Sequence, residues 1–113
     1  MDKIAVLKKY FGYTSFRPGQ EVLIDALLQG RDVLGIMPTG AGKSLCYQVP
    51  ALLFPGITLV ISPLISLMQD QVQALETAGI KAAYINSALS GREFYTTLEQ
   101  ARAEAYKMIY VLS

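Results

Sequence analysis

Four short runs of apolar and β-branched residues, DVLGIM (32–37), ITLVIS (57–62), AAYIN (82–86) and KMIYVL (107–112), alternate with segments whose apolar residues recur at helical spacing. This alternation leaves few architectures open. Strand and helix in turn favour parallel strands joined by crossover helices, with helices covering both faces of the sheet. The chain is therefore expected to be α/β, with ligands at the C-terminal ends of the strands. Of the intervening helices, the first is expected from Lys43, the second through LMQDQVQALETAG and the third from Ser90, whose S-G-R-E spacing to Glu93 fits a capping box. Pro50 falls inside the first of these, where it removes a backbone donor and should kink or end the helix.

Two further helices precede the first strand run. Asp2 suits the N-cap of one that carries Ile4, Leu7 and Phe11 on a face and leaves through Gly12. Pro18 suits the first turn of the next, Val22, Ile24, Leu27 and Leu28 supply its apolar surface, and Gly30 closes it.

Between the first strand run and the helix at Lys43 lies MPTGAGKS, residues 37–44. A phosphate cradle needs a strand feeding a tight turn, inward backbone N–H groups and a helix that starts at once, so that its positive end faces the anion. Gly40 and Gly42 allow close backbone approach, Lys43 has the reach for β and γ phosphates, and the Ser44 hydroxyl can ligate Mg²⁺. Met37 occupies the position of the pattern's first glycine, which is tolerable if its backbone avoids positive φ. A plain glycine-rich turn with a solvated Lys43 is the competing reading.

Upstream, YFGYTSFRPGQ (10–20) offers groups that select a base. Adenine presents an N6 donor beside an N7 acceptor, and a glutamine amide matches that pair bidentately. Gln20 is the candidate, with Tyr13 to stack on the purine and Arg17 to lie over it or hold ribose and phosphate. Against this stands the ordinary role of aromatic residues near a helix start, which is core packing. Further along, Ser62 and Pro63 sit where a strand ends and a helix begins, a corner that presents free N–H groups and a hydroxyl to a phosphate of a DNA strand. The alternative is a helix cap, at Ser62 or through Ser66 and Gln69. Asn86 and Ser87 form the corresponding corner after the third run.

Taken together, YFGYTSFRPGQ, GRDVLGIMPTGAGKSLCYQVPALL and VISPLISLMQDQVQAL closely resemble the RecQ family of superfamily-two DNA helicases, over nearly the whole chain. The resemblance implies part of a RecA-like P-loop domain, with residues 1–23 as a helical segment bearing an adenine motif and 24–113 as the ATP-binding domain. It implies adenine contacts by Tyr13, Arg17 and Gln20, and a phosphate loop of Met37, Pro38, Thr39, Gly40, Ala41, Gly42, Lys43 and Ser44. Lys43 and Ser44 would be catalytic, with Ser44 on Mg²⁺. The family's corner after the second strand grips single-stranded DNA, which implicates Ser62, Pro63 and Ser66, and by analogy Asn86 and Ser87. The expected activity is DNA unwinding coupled to ATP hydrolysis, 3′ to 5′, with ATP and single-stranded or forked DNA as partners.

Parts of that machinery have no residues here. Hydrolysis also needs carboxylates to manage Mg²⁺ and the attacking water, and the sequence has no adjacent acidic pair. The family's Asp-Glu-Ala-His box, second RecA-like domain, zinc-binding region and winged helix find no counterpart, so zinc is conceivable only in regions beyond Ser113, where the chain looks cut. The 113 residues alone are expected to be inactive. Composition agrees with a compact domain: 52% of residues are hydrophobic, and a net charge of +1 excludes a basic block, so DNA contacts must be local. No apolar stretch has the length of a membrane span and no signal peptide is evident, which suggests a soluble, cytoplasmic protein, nucleoid-associated if bacterial. The single cysteine, Cys46, suits packing.

Overall fold

The computed structural model describes residues 1–35, 42–62, 65–86, 91–104 and 106–112. They fall into two compact units, Met1–Pro55 and Gly56–Ser113.

The first unit is helical among its described residues. Helix α1 (Lys3–Val6) starts at Asp2, whose extended backbone turns its Oδ1 to accept from the Ala5 N–H at 2.8 Å. This satisfies one of the donors that every helix start leaves open. A π-helical turn, Leu7–Phe11, continues α1 and ends at Gly12 with φ 76°. Helix α2 (Gln20–Leu28) follows a tight turn in which the Gln20 N–H reaches the Arg17 carbonyl at 3.1 Å. Pro18 and the left-handed Gly19 (φ 88°) fill its two central places, the signature of a type II turn. Pro18 thus belongs to this turn and not to the first turn of α2. At the other end Gly30 (φ 83°) closes α2 as expected, with Arg31 N–H on the Ala26 carbonyl and Gly30 N–H on that of Leu27.

Val6, Leu7, Ile24 and Val49 form the core of this unit. Ile24 is completely buried, whereas Val22 is 73% exposed. Two residues along a helix is about 200° of rotation, so Val22 cannot share the face of Ile24. Lys3 clamps α1 to α2: its Nζ lies 2.7 Å from Glu21 Oε2 and 2.6 Å from Asp25 Oδ1, carboxylates one turn apart on α2. Helix α3 (Leu45–Leu53) contains Pro50 and continues past it, so the proline does not end the helix. Pro50 is fully buried between buried Val49 and Ala51, and that packing offsets the missing bond to the Cys46 carbonyl.

The strand expected over 32–37 is not formed at 32–35; residues 36 and 37 lie outside the described residues. A β-strand exists through a ladder partner, and none pairs with Asp32–Gly35 among the described residues. Gly35 instead lies against α2, where a Cβ would come within 2.6 Å of Leu23 Cδ1.

In the second unit the remaining strand expectations hold to within a residue: β1 (Thr58–Ser62), β2 (Ala82–Asn86) and β3 (Met108–Leu112). They form a parallel sheet of order β1-β3-β2, with Leu59, Ile109 and Ala83 in one row and Val60, Tyr110 and Tyr84 in the next. Helices α4 (Ile65–Thr77) and α5 (Gly91–Ala103) cover opposite faces. Phe94, Leu98 and Ala101 of α5 pack on Ile109 and Val111. Met108 and Tyr110 point the other way, toward α4, whose Gln69 bonds the Tyr84 hydroxyl at 3.4 Å. Central β3 is therefore buried on both sides, which is why MIYVL reads as an unbroken apolar run. The expected capping residue Ser90 lies outside the described residues.

Candidate nucleotide site

The turn before α2 and the start of α3 meet in one cleft, lined by Tyr13, Ser15, Arg17, Gln20, Gly42 and Leu45 and enclosing about 270 Å³ of space open to solvent. Tyr13, half exposed, stands in its lining. The Arg17 stem approaches Gly42, its Cδ lying 3.9 Å from where a Cβ on that glycine would stand.

Gln20 is 1% exposed. Its Oε1 accepts from the Arg17 N–H at 2.7 Å, and its Nε2 donates to the Gly42 carbonyl at 3.0 Å. Gly42 has φ 76°, and a Cβ there would stand 2.4 Å from Gln20 Nε2. Only glycine meets both conditions without a shift. The Gly42 carbonyl also receives the Leu45 N–H at 3.3 Å, and Lys43 and Ser44 lead directly into α3. Lys43 is exposed, and the Ser44 hydroxyl does not cap the helix, so it is not committed to that role.

Of the residues singled out from sequence, Tyr13, Arg17, Gln20 and Gly42 are thus gathered in one cleft, with Lys43 and Ser44 next in the chain. Met37, Pro38, Thr39, Gly40 and Ala41 lie outside the described residues. Sequence reasoning missed Ser15 and Leu45 in the lining, and it missed the internal bonds of Gln20. A glutamine opening a helix directly after Pro-Gly was the available signal, since its side chain can fold back on its own turn. Cys46 is buried, and burial pushes its thiol up, so it stays protonated and packs.

In the second unit Ser62 and Asn86 both stand opposite Leu112, at the C-terminal end of the sheet. Two strand spacings separate them, about 10 Å. Ser62 is buried, while Ser66 is exposed and lies within the first turn of α4, not at its cap. Pro63 and Ser87 lie outside the described residues. Among the described residues there is no group of three or more His, Cys, Asp or Glu able to hold a metal, and no helix long and apolar enough to cross a membrane.

The chain thus combines a parallel α/β sheet with a Gly-Lys-Ser helix start, and sequence comparison gives its family. The chain belongs to the DEAD/DEAH box helicase family, whose model matches residues 17–112. It is 56% identical over 108 residues to the ATP-dependent DNA helicase RecQ of Bacillus subtilis, covering 95% of this chain and 18% of that protein. It is equally 56% identical over 106 residues to RecQ of Haemophilus influenzae, covering 94% and 16%. The Arabidopsis thaliana ATP-dependent DNA helicase Q-like 4B is 49% identical over 106 residues, covering 92% and 9%. The chain therefore spans less than a fifth of the length of these relatives.

Proposed function

We propose that the intact protein is an ATP-dependent DNA helicase of RecQ type that moves 3′ to 5′ along one strand, and that these residues form its adenine-binding and phosphate-binding portion. The observation that carries the reading is the convergence of Tyr13, Arg17 and Gln20 with Gly42 at the origin of α3. The residues fit Mg-ATP. Tyr13 stacks on the base, Arg17 reaches ribose or phosphate, Gln20 presents its amide to the adenine edge, Lys43 pairs with the β and γ phosphates, and Ser44 takes the Mg²⁺. The motif segment 1–23 selects the base, and 24–113 belongs to the ATP-binding domain. Bound Mg-ATP supplies the phosphoanhydride whose cleavage drives movement.

On the DNA side, Ser62, Pro63, Ser66, Asn86 and Ser87 are the residues assigned to strand phosphates. Exposed Ser66 contributes its hydroxyl, whereas buried Ser62 acts by ordering its corner. Such contacts position a strand without reading its sequence. Single-stranded and forked DNA are the expected substrates, encountered in the cytoplasm or, in a bacterium, at the nucleoid.

The test is hydrolysis of Mg-ATP by the intact protein with and without single-stranded DNA, alongside strand separation on forked duplexes of either tail polarity. Hydrolysis stimulated by DNA and unwinding from a 3′ tail are expected. Turnover indifferent to DNA would instead identify another P-loop phosphotransferase, and binding without turnover an isolated nucleotide-binding module. The 113 residues by themselves should bind Mg-ATP weakly and neither hydrolyse it at a useful rate nor separate strands.

A further inference from the structure

On the adenine reading alone, Gln20 acts only when a base is present. Its hydrogen bonds extend further than that. The amide joins the Arg17 N–H to the carbonyl of Gly42, which lies 22 residues beyond Gln20 in the sequence. The same carbonyl receives the Leu45 N–H, in the turn that opens α3. A peptide unit is planar and trans, so holding the carbonyl of Gly42 also fixes the direction of the Lys43 N–H, which points the opposite way. That N–H lies in the turn that leads into α3, where backbone donors of a phosphate loop face an anion.

We infer that Gln20 is a positioning residue for the phosphate grip itself, holding the Gly42 carbonyl, and with it the origin of α3, whether or not a base is bound. The inference rests on the nucleotide reading above and adds a second role to one side chain. The fit is tight: a Cβ on Gly42 would displace the Gln20 amide.

The experiment separates the two halves of the ligand. In the intact protein, affinity for Mg-tripolyphosphate, which has no base, and for adenosine, which has no phosphate, is measured for the native form, Gln20→Met and Gln20→Asn. Methionine keeps the shape and loses both bonds; asparagine keeps the amide but is too short to span Arg17 and Gly42. Both should weaken tripolyphosphate binding about five- to thirty-fold, the effect of one to two lost kcal/mol. Lys3→Met loosens the α1–α2 clamp away from the amide and should lower the melting temperature with tripolyphosphate affinity unchanged. In the native protein, slow hydrogen exchange at the Arg17 amide is expected.

Unchanged tripolyphosphate affinity in the folded Gln20 variants with weakened adenosine binding would overturn the brace and leave the adenine reading standing. An equal loss in Lys3→Met would reduce the effect to general loosening and overturn it too, as would a freely exchanging Arg17 amide. A native protein that binds adenosine or ATP but no tripolyphosphate also overturns it. If the native protein binds none of these ligands, the nucleotide reading itself fails and the brace with it.

Discussion

The two units of this chain are stabilised by different means. In Gly56–Ser113 the order comes from parallel ladders and from apolar side chains on both faces of β3, and the side chain of Ser62 is the polar one buried among the described residues. In Met1–Pro55 two glutamines, Gln20 and Gln48, are buried beside the apolar cluster, and left-handed glycines shape the turns. A buried amide is stabilising only with its partners in place. The sheet unit can thus absorb small changes as a loss of stability alone. The helical unit combines stability and ligand geometry in the same contacts, because its buried amide reaches the loop that would face a nucleotide.

The largest test of that contrast is a pair of core truncations. Ile109→Ala in β3 and Ile24→Ala in α2 each empty a fully buried site and should cost about 2–5 kcal/mol, read by chemical denaturation. Only Ile24→Ala, one turn from Gln20, should also weaken ATP binding by the protein that remains folded. Equal loss of ATP affinity in both would break the comparison. Next, Lys43→Ala in the intact protein should cost about 2–4 kcal/mol of transition-state stabilisation in ATP turnover. Affinity for single-stranded DNA, assigned to the sheet unit, should hold; near-normal turnover would remove Lys43 from the site.

A smaller effect is expected for Gln20→Ala on base choice. Preference for ATP over GTP should fall by roughly 1–3 kcal/mol, the range of a bidentate match to adenine. Full retention of the preference would leave Gln20 no part in reading the base. Asp2→Ala should remove the α1 cap at a cost of about 0.5–2 kcal/mol in thermal or denaturant unfolding, with little effect on ATP affinity.

The smallest expected effect concerns pH. Hydrogen bonds to Asp25 and then Glu21 raise the Lys3 pKa above its ordinary 10.5. Its contribution to stability is therefore complete below the unfolded value and is lost as pH rises through the higher folded one. Lys3→Met should abolish that alkaline step in a melting profile, and a step that persists would belong to another group.

Much of the fold was legible because local rules and tertiary outcome coincide. TLVIS, AAYIN and MIYVL are short, apolar and bounded by helix signals, and each became a strand. Asp2, Gly12 and Gly30 act as caps and exits through chemistry contained within a few residues. DVLGIM carried the same strand signal, but its described residues, Asp32–Gly35, have no ladder partner, and a ladder is a long-range property. Val22 was misplaced because apolarity was read without its helical angle, while Pro50 lies inside α3 without ending it because its packing holds it there.

The sequence by itself determined the alternating α/β plan and the family, since both reside in spacing and side-chain chemistry. Only the tertiary structure decided that β3 lies between β1 and β2, bringing Ser62 and Asn86 to one end of the sheet. It also decided that Gln20 meets the Gly42 carbonyl. Partners 22 residues apart are chosen by how the core closes, and no local propensity encodes that distance.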